Sequence, residues 1–555
     1  MSDKPIEELV SLCTALEQGR KPFESVWDEI TDLYYTKRRI YAPKNPNASK
    51  KPDHRYSSKA KRASSIASRG FQGYTADRRS DWMLLQFEDQ ALMAMYGVQD
   101  WLEECHRTLS AHFSRAGLYE ALAELIPDGH NLGTGAIYSE EITSKARIAY
   151  RCKHPWACYF AENSFGEIDI ARDEEWMSYR SAVERFGKEK LHESWQRNFE
   201  SRPLDNVLIQ HITMPMDERY LEYAKGPIIR SFPFVSIWLD LENQHIIDVG
   251  GFWEFPYFVW RYERSAGDAY GFGPGFDVID DCYVANQMTR SRIALGNLIA
   301  DPPLLIPEAL EGRDQVVPGH HIYTTASEQQ IQPLPIGANY PITVDNEERI
   351  EAAIDAHFNV GIYQMLEQME ARNKTATEVI EMAGERVAVL GPTVGGYENQ
   401  VLQPAVRRSF QMLMRSGQLP EPPQVVKEAI KAGQVLKVEF MGRLSQISKR
   451  YYKSDGTNQA LGIAGALVQL YPDALDNIDF DQLTREGLEN AGAPASVIRE
   501  KEDVAKIRQD RLAQQQAIAQ KQEQAAAQQM MISNLDKLGR APEPGSPAAS
   551  TGGLV

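Results

Sequence analysis

Two long helical runs bracket a short insertion, and this pairing limits the fold more than any other feature of the 555 residues. From Phe276 to Ala300, apolar residues recur at helical spacing through Val278, Cys282, Ala285, Met288, Leu295 and Leu298. Asp301-Pro302-Pro303 stops the run, because proline removes a backbone donor and clashes one turn back. At 1.5 Å per residue, this is a rod of about 37 Å. A second run starts behind a good N-cap, Asp345, and carries Ile350, Ile354, Phe358, Ile362 and Met365 on one stripe. Between them, residues 301–344 hold proline-rich and β-like pieces, LLIPEA, HHIYTT and IQPLPI, too few to form an independent core. The reading is helix, small β insertion, returning helix.

The rest of the chain is α+β. A length of 555 residues exceeds what one core usually serves, so two to four regions are expected. The first 125 or so residues read as mainly helical, opening with PIEELVSLCTALEQGRKPFESVWDEITDLYY. A basic, serine-rich link, NASKKPDHRYSSKAKRASS, follows as a surface arm or the start of a helix. The next helical run, from Val98, is expected to end at the turn signal Pro127-Asp128-Gly129. From Gly135 to about Tyr262, runs such as ARIAYRC, VLIQHITM and FVSIWLDL suggest antiparallel sheet, interrupted by one helical piece near Ala182 to Arg197. After the returning helix, Thr375 and Glu378 fit a capping box, which places Arg372, Asn373 and Lys374 on a loop tip. The helix that the box starts, to about Met414, should bend or break at Gly391-Pro392, Gly395-Gly396 and Pro404. A strand, VLKVEFMGRL, then leads to helices reaching about Leu535. The Ala/Gln-rich last helix packs against copies of itself or stands partly free, and a disordered tail follows.

Charge and motifs narrow the function. With 77 carboxylates against 60 Lys and Arg, the net charge of -17 argues against a protein that coats nucleic acid, though not against one that lets it slide past. Five scattered cysteines suit a reducing compartment, and the chain reads as cytoplasmic in its setting. The N-terminus lacks the pattern of a signal peptide, and the longest apolar run, Ala460 to Tyr471, is too short to span a bilayer, so no membrane insertion is expected. No P-loop, HExxH or GxSxG motif occurs. The glycines of Tyr270-Gly271-Phe272-Gly273-Pro274-Gly275 read as a hinge before the long helix. Cys152, His154 and Cys158 read as buried thiols in a sheet rather than a zinc site, and His320-His321 as an exposed turn. Glu347, Glu348, Glu351 and Asp355 could form a catalytic or metal cluster; as a run near a helix N-terminus they read better as a solvated face. No cofactor and no metal are expected.

The order of these parts resembles the portal, or head-to-tail connector, proteins of tailed bacteriophages, particularly short-tailed podoviruses. The local stretches that carry the resemblance are Ala67-Ser68-Arg69-Gly70-Phe71 leading to Trp82-Met83-Leu84-Leu85, Asn131-Leu132-Gly133-Thr134-Gly135-Ala136, Tyr270-Gly271-Phe272-Gly273-Pro274, Thr375-Ala376-Thr377-Glu378-Val379 and Val438-Glu439-Phe440-Met441-Gly442-Arg443-Leu444. It covers roughly residues 20 to 480. The resemblance implies a mainly helical α+β fold assembled as a ring. In that family's terms, residues 1–270 would be the wing and 271–300 the first stem helix. Residues 301–344 would be the clip, 345–366 the second stem helix and 367–374 the tunnel loop. The kinked wing helix and strand would span 375–454, crown helices 455–535 and the tail 536–555.

It further implies a homododecamer at one capsid vertex of the virion, assembled in the host cytoplasm. The implied partners are a terminase large subunit, capsid and scaffolding proteins, a tail adaptor and the double-stranded DNA passing through. Twelve copies carry a formal 12 × -17 = -204, yet each Arg372 and Lys374 becomes a ring of cations facing phosphate. Arg290, Arg292, Glu351 and Asp355 would face the channel or the neighbouring subunit, and Gly391 and Pro392 would act as a helix hinge. The chain itself would not be an enzyme. The competing reading is a metal-dependent hydrolase or nuclease using carboxylates of the 345–366 helix; a third is a scaffold without a channel.

Overall fold

The computed structural model describes residues 4–39, 55–142, 147–223, 231–301, 303–305, 332–333, 340–371, 387–434, 436–447, 481 and 501–538. His320-His321, the capping box from Thr375, the apolar run 460–471 and the tail after residue 538 lie outside them. The chain divides into two compact units, Met1–Ser454 and Asp455–Val555.

Helix α1 (Lys4–Leu33) is the longest of the first unit and joins two cores. Its first half places Leu9 and Cys13 on a core with Ile212, Val235, Ile237 and Leu239. Its second half places Phe23, Trp27 and Ile30 in the main core. Trp27 Nε1 donates to the Leu132 carbonyl at 2.8 Å, so burying the indole leaves no orphan donor. Arg20, fully buried, donates through Nη1 to the carbonyls of Trp156 and Cys158 at 2.8 and 2.9 Å and pairs with Glu24. These bonds satisfy a charge that would be costly to bury alone.

The other long helices described in the opening region are α2 (Lys59–Thr75), α3 (Val98–Ala116) and α4 (Leu118–Leu132). Gly117, at φ +81, separates α3 from α4. Helix α4 corrects the sequence reading, for it runs through Pro127-Asp128-Gly129 instead of ending there. Tertiary contacts outweigh the turn signal. Asp128 is completely buried and accepts from Tyr35 Oη at 2.6 Å and from Arg38 Nε and Nη2 at 2.9 and 2.8 Å. Trp260 lies so close to Gly129 that a Cβ there would meet its ring at 2.3 Å.

The β-rich stretch is antiparallel, as its alternating runs suggest. Strands β4 (Cys158–Glu162), β5 (Ile168–Ser178), β6 (Asn206–Pro215), β7 (Phe234–Asp240) and β8 (His245–Phe252) form a five-stranded sheet in chain order. The expected single helical piece is two helices, α5 (Tyr179–Phe186) and α6 (Glu193–Ser201), because Gly187 at φ +86 ends the first. A three-stranded sheet has the order β3-β2-β9, from β2 (Thr134–Ile142), β3 (Arg147–Lys153) and β9 (Tyr257–Arg261). A third pairing brings β1 (Met83–Phe87) onto β10 (Leu436–Phe440), with Met83 opposite Phe440 and Phe87 opposite Leu436.

The two long runs are helices. The first, α7, spans Ile279–Ala300 behind a short turn, Pro274–Asp277. The second spans Tyr340–His357 (α8) and Val360–Ala371 (α9). It begins five residues before the N-cap proposed at Asp345, and Asn359 at φ +53 divides it. The apolar stripe is as read, with Ile354, Phe358 and Ile362 buried and Ile350 and Met365 packed at its edges. Among the described residues of the insertion, Leu304–Leu305 pairs with Gln332–Pro333.

Beyond them come α10 (Gly391–Tyr397), a π-helical turn Glu398–Leu402, α11 (Gln403–Arg415) and α12 (Gln424–Lys431). In the second unit, α13 (Lys501–Leu538) is a 38-residue helix.

Candidate functional site

The glycine run before α7 is a packing joint. A Cβ on Gly275 would sit 2.0 Å from the Asn131 carbonyl oxygen, and one on Gly273 2.6 Å from that of Gly129. Gly271 N donates to Thr134 Oγ1 at 2.8 Å. Only glycine allows this approach of two backbones, and it fixes the start of α7 against the end of α4.

From that joint α7 and α8 run antiparallel. Thr289 Oγ1 donates to Glu347 Oε1 at 2.7 Å, and Arg292 Nε pairs with Glu347 Oε2 at 3.0 Å. Lower down, His357 Nε2 lies 3.7 Å from Asp281 Oδ2. Glu347 is only 4% exposed, so the expectation of a solvated acidic face fails at this residue. A single buried carboxylate between a hydroxyl and a guanidinium ties the two helices together, whereas Glu348 remains exposed.

Helix α2 and the residues before it brace the pair. Asn286 Oδ1 accepts from the backbone N–H groups of Tyr56 and Ser57 at 2.6 and 3.2 Å. Lys59 Nζ reaches Asp355 at 2.6 Å and Glu351 at 3.7 Å. Arg290 lies 5.9 Å over the Tyr56 ring. Thus Glu351 and Asp355 are joined to Lys59 and Arg292 to Glu347, and the structure brings all four named residues to one helical pair. Farther along α2, Gly70 is pressed against Tyr363 of α9, where a Cβ would be 2.5 Å from the ring. The same helix therefore touches both the pair and α9, whose last residue, Ala371, precedes Arg372, Asn373 and Lys374. Those three residues lie outside the described residues. Tyr363 and Leu366 of α9 are buried in the main core.

The pair closes on itself along one side only. Cys282, Ala285 and Thr289 are the buried residues of α7, while Tyr283, Val284, Ile293, Leu298 and Ile299 are exposed. Burial, then neighbouring Asp281, pushes the Cys282 thiol up to about 12, which makes it a poor nucleophile. Cys152 and Cys158 are also free thiols pushed well up by burial, in keeping with their reading as sheet residues.

Gly391 and Pro392 open α10, where a missing N–H costs nothing because first-turn donors have no intrahelical partner. The departure from α geometry comes about two turns later, at Glu398. Pro404 cannot donate to Gln400 in an α-helix, and the wider π turn before it gives the ring room. The Gln400 side chain turns outward to Arg261, its Oε1 accepting from that N–H at 3.1 Å and its Nε2 donating to that carbonyl at 3.4 Å.

Sequence reasoning did not single out Lys59, Asn286 or Thr289. The signal for Lys59 is a helix, KAKRASSIASRGFQGYT, that holds cations and no carboxylate. Asn286 and Thr289 have no comparable signal, since their partners lie far away in the chain.

Residues 7–498 match the family described as bacteriophage head to tail connecting protein. The portal protein of Salmonella phage epsilon15 is 26% identical over 543 residues, which covers 95% of this chain and 95% of that protein. A probable portal protein of Bordetella phage BPP-1 is 24% identical over 531 residues, covering 92% of each.

Proposed function

Since the chain belongs to the bacteriophage head to tail connecting proteins, we propose that it serves as the portal at a capsid vertex, through which the genome enters and leaves and to which the tail attaches. The observation that carries this reading is a family match spanning residues 7–498, which includes the antiparallel pair α7 and α8 and the chain on both sides of it. The exposed apolar residues of α7 support assembly, because Ile293, Leu298 and Ile299 are left for neighbouring subunits to cover.

In this reading copies join head to tail and close as a ring, with twelve as the number in the capsid. Residues 1–270 form the wing, α7 and α8 the stem and 301–344 the clip that meets a tail adaptor. Each copy contributes Arg372, Asn373 and Lys374 to a loop on the axis, where the two cations steady phosphates without reading bases. A terminase large subunit drives the DNA, capsid and scaffolding proteins hold the rim, and assembly takes place in the host cytoplasm. Gly391 and Pro392 give the loop's following helix its freedom, so Gly391→Ala should slow packaging.

The hydrolase alternative finds no support in the geometry. Glu347 is engaged by Thr289 and Arg292, and Glu351 and Asp355 by Lys59, so these carboxylates do not converge on open space. Among the described residues no helix is long and apolar enough to cross a membrane. Negative-stain electron microscopy of the purified chain tests the proposal. Rings with a channel wide enough for duplex DNA are the expected result; monomers or compact dimers in all salt conditions would overturn it.

A further inference from the structure

Helix α2 is built against its own electrostatics. Lys59, Lys61 and Arg62 occupy its first turn, where the helix already carries partial positive charge and where carboxylates, absent from this helix, are favoured. Lys59 is answered by Asp355. Lys61 and Arg62 are exposed, and among the described residues no carboxylate pairs with either. A local choice that opposes helix formation points to a partner outside the isolated subunit.

The rest of the chain offers a complement. Asp277 and Asp280, at the start of α7, are exposed and likewise have no ion-pair partner among the described residues. Their position along the stem follows from the pairs already given. Lys59 meets Asp355 on α8, and two residues farther along α8 His357 meets Asp281 on α7. From Lys59, α2 continues in the direction of α9, since Gly70 packs on Tyr363. From Asp281, stepping back to Asp280 and Asp277 moves the same way, because α7 runs antiparallel to α8. The cations and the carboxylates therefore stand at one level of the pair. They are mounted on different helices, the cations on α2 beside α8 and the carboxylates on α7.

We propose that Lys61 and Arg62 of one copy dock against Asp277 and Asp280 of the next copy. This rests on the ring reading above, with the stem lying along the ring axis. Rotation about an axis leaves height unchanged, so two faces that meet head to tail must stand at the same level, and these do. The contact is heterologous, since the cations of one copy meet a different patch, the carboxylates, on the next. It also sets the register of neighbours, because a copy slipped along the axis would lose the match.

The test uses the full chain in three forms, Lys61→Glu with Arg62→Glu, Asp277→Lys with Asp280→Lys, and all four changes together. Native mass spectrometry follows ring fraction against protein and salt concentration, and circular dichroism follows folding. Each double variant should need about tenfold more protein for half-assembly, equivalent to about 1.4 kcal/mol. The fourfold variant, with the charges exchanged, should return toward wild type. Rings that form from the double variants as readily as from wild type would overturn the contact while leaving the ring reading intact. So would normal rings that package DNA poorly, which would assign the cations to nucleic acid, or a fourfold variant no better than the doubles. A wild-type chain that never forms rings would remove the ring reading and this contact with it.

Discussion

Arg408 carries its charge into the interior at 3% exposure, donating from Nε to Ser139 Oγ at 2.8 Å and from Nη1 to the Glu254 carbonyl at 2.6 Å. Replacing it with Met would leave those acceptors and part of the Glu254 charge unanswered, so Arg408→Met should destabilise the fold by about 3 kcal/mol in chemical unfolding. Glycines divide in the same way by what surrounds them. Gly275→Ala forces a methyl onto the Asn131 carbonyl and should abolish the native fold or lower its melting temperature sharply. Gly296→Ala, on α7 with nothing within 4 Å, should be neutral or stabilise by about 0.5 kcal/mol.

Three histidines, His130 and His211 fully buried and His154 half-buried, make a pH prediction. Burial pushes His130 down to about 4 and His154 to about 3, and holds His211 well below its usual range between Tyr257 Oη and Ser236 Oγ. Their stability contribution is complete above about pH 6.5 and is lost as pH falls, because the unfolded chain takes up protons that the fold refuses. Lowering the pH from 6.5 to 5 should cost about 1.6 kcal/mol for each of the two buried histidines and less for His154, seen as a falling urea midpoint. The composition gives the number of histidines. Which of them are buried depends on contacts such as His211 against Trp238, between neighbouring strands, and no local pattern announces these.

At the scale of elements, periodicity carried the helices well and their ends poorly. The stripe through Ile354, Phe358 and Ile362 was readable because one face of a helix must be apolar when it packs on a core. The break at Asn359 and the run of α4 through Pro127 were not, since each depends on partners distant in sequence. The pairing of β1 with β10 is hidden for the same reason, with the two strands at opposite ends of the first unit. The acidic run at 347–355 had a plausible bland reading, and it failed at Glu347 because helix periodicity does not say what the facing helix carries. Gly70 links α2 to α9, so Gly70→Val should wedge the helices apart. A loss of about 2 kcal/mol is expected, with faster hydrogen exchange concentrated at residues 360–366.

For the whole molecule, the order of parts was more informative than any single motif, and the family match over residues 7–498 agrees with it. What order cannot give is which side chains meet across the fold, as Lys59 meets Asp355. The proposed role of Arg372 and Lys374 belongs to this scale. Arg372→Ala with Lys374→Ala should leave ring assembly unchanged and slow DNA packaging several-fold, measured as protected DNA per procapsid over time. Equal packaging by the variant would detach these residues from the genome.

The side-chain amide of Gln400 matters here in another way. Strand β9 is the last of its three-stranded sheet, and an outermost strand exposes a row of unpaired peptide groups that any second chain can zip onto. Gln400 answers both the N–H and the carbonyl of Arg261, as a neighbouring strand would. If the chain assembles as proposed, many copies are made side by side before they find their places, and a helical turn that blunts this margin would keep them from coalescing into insoluble sheets first.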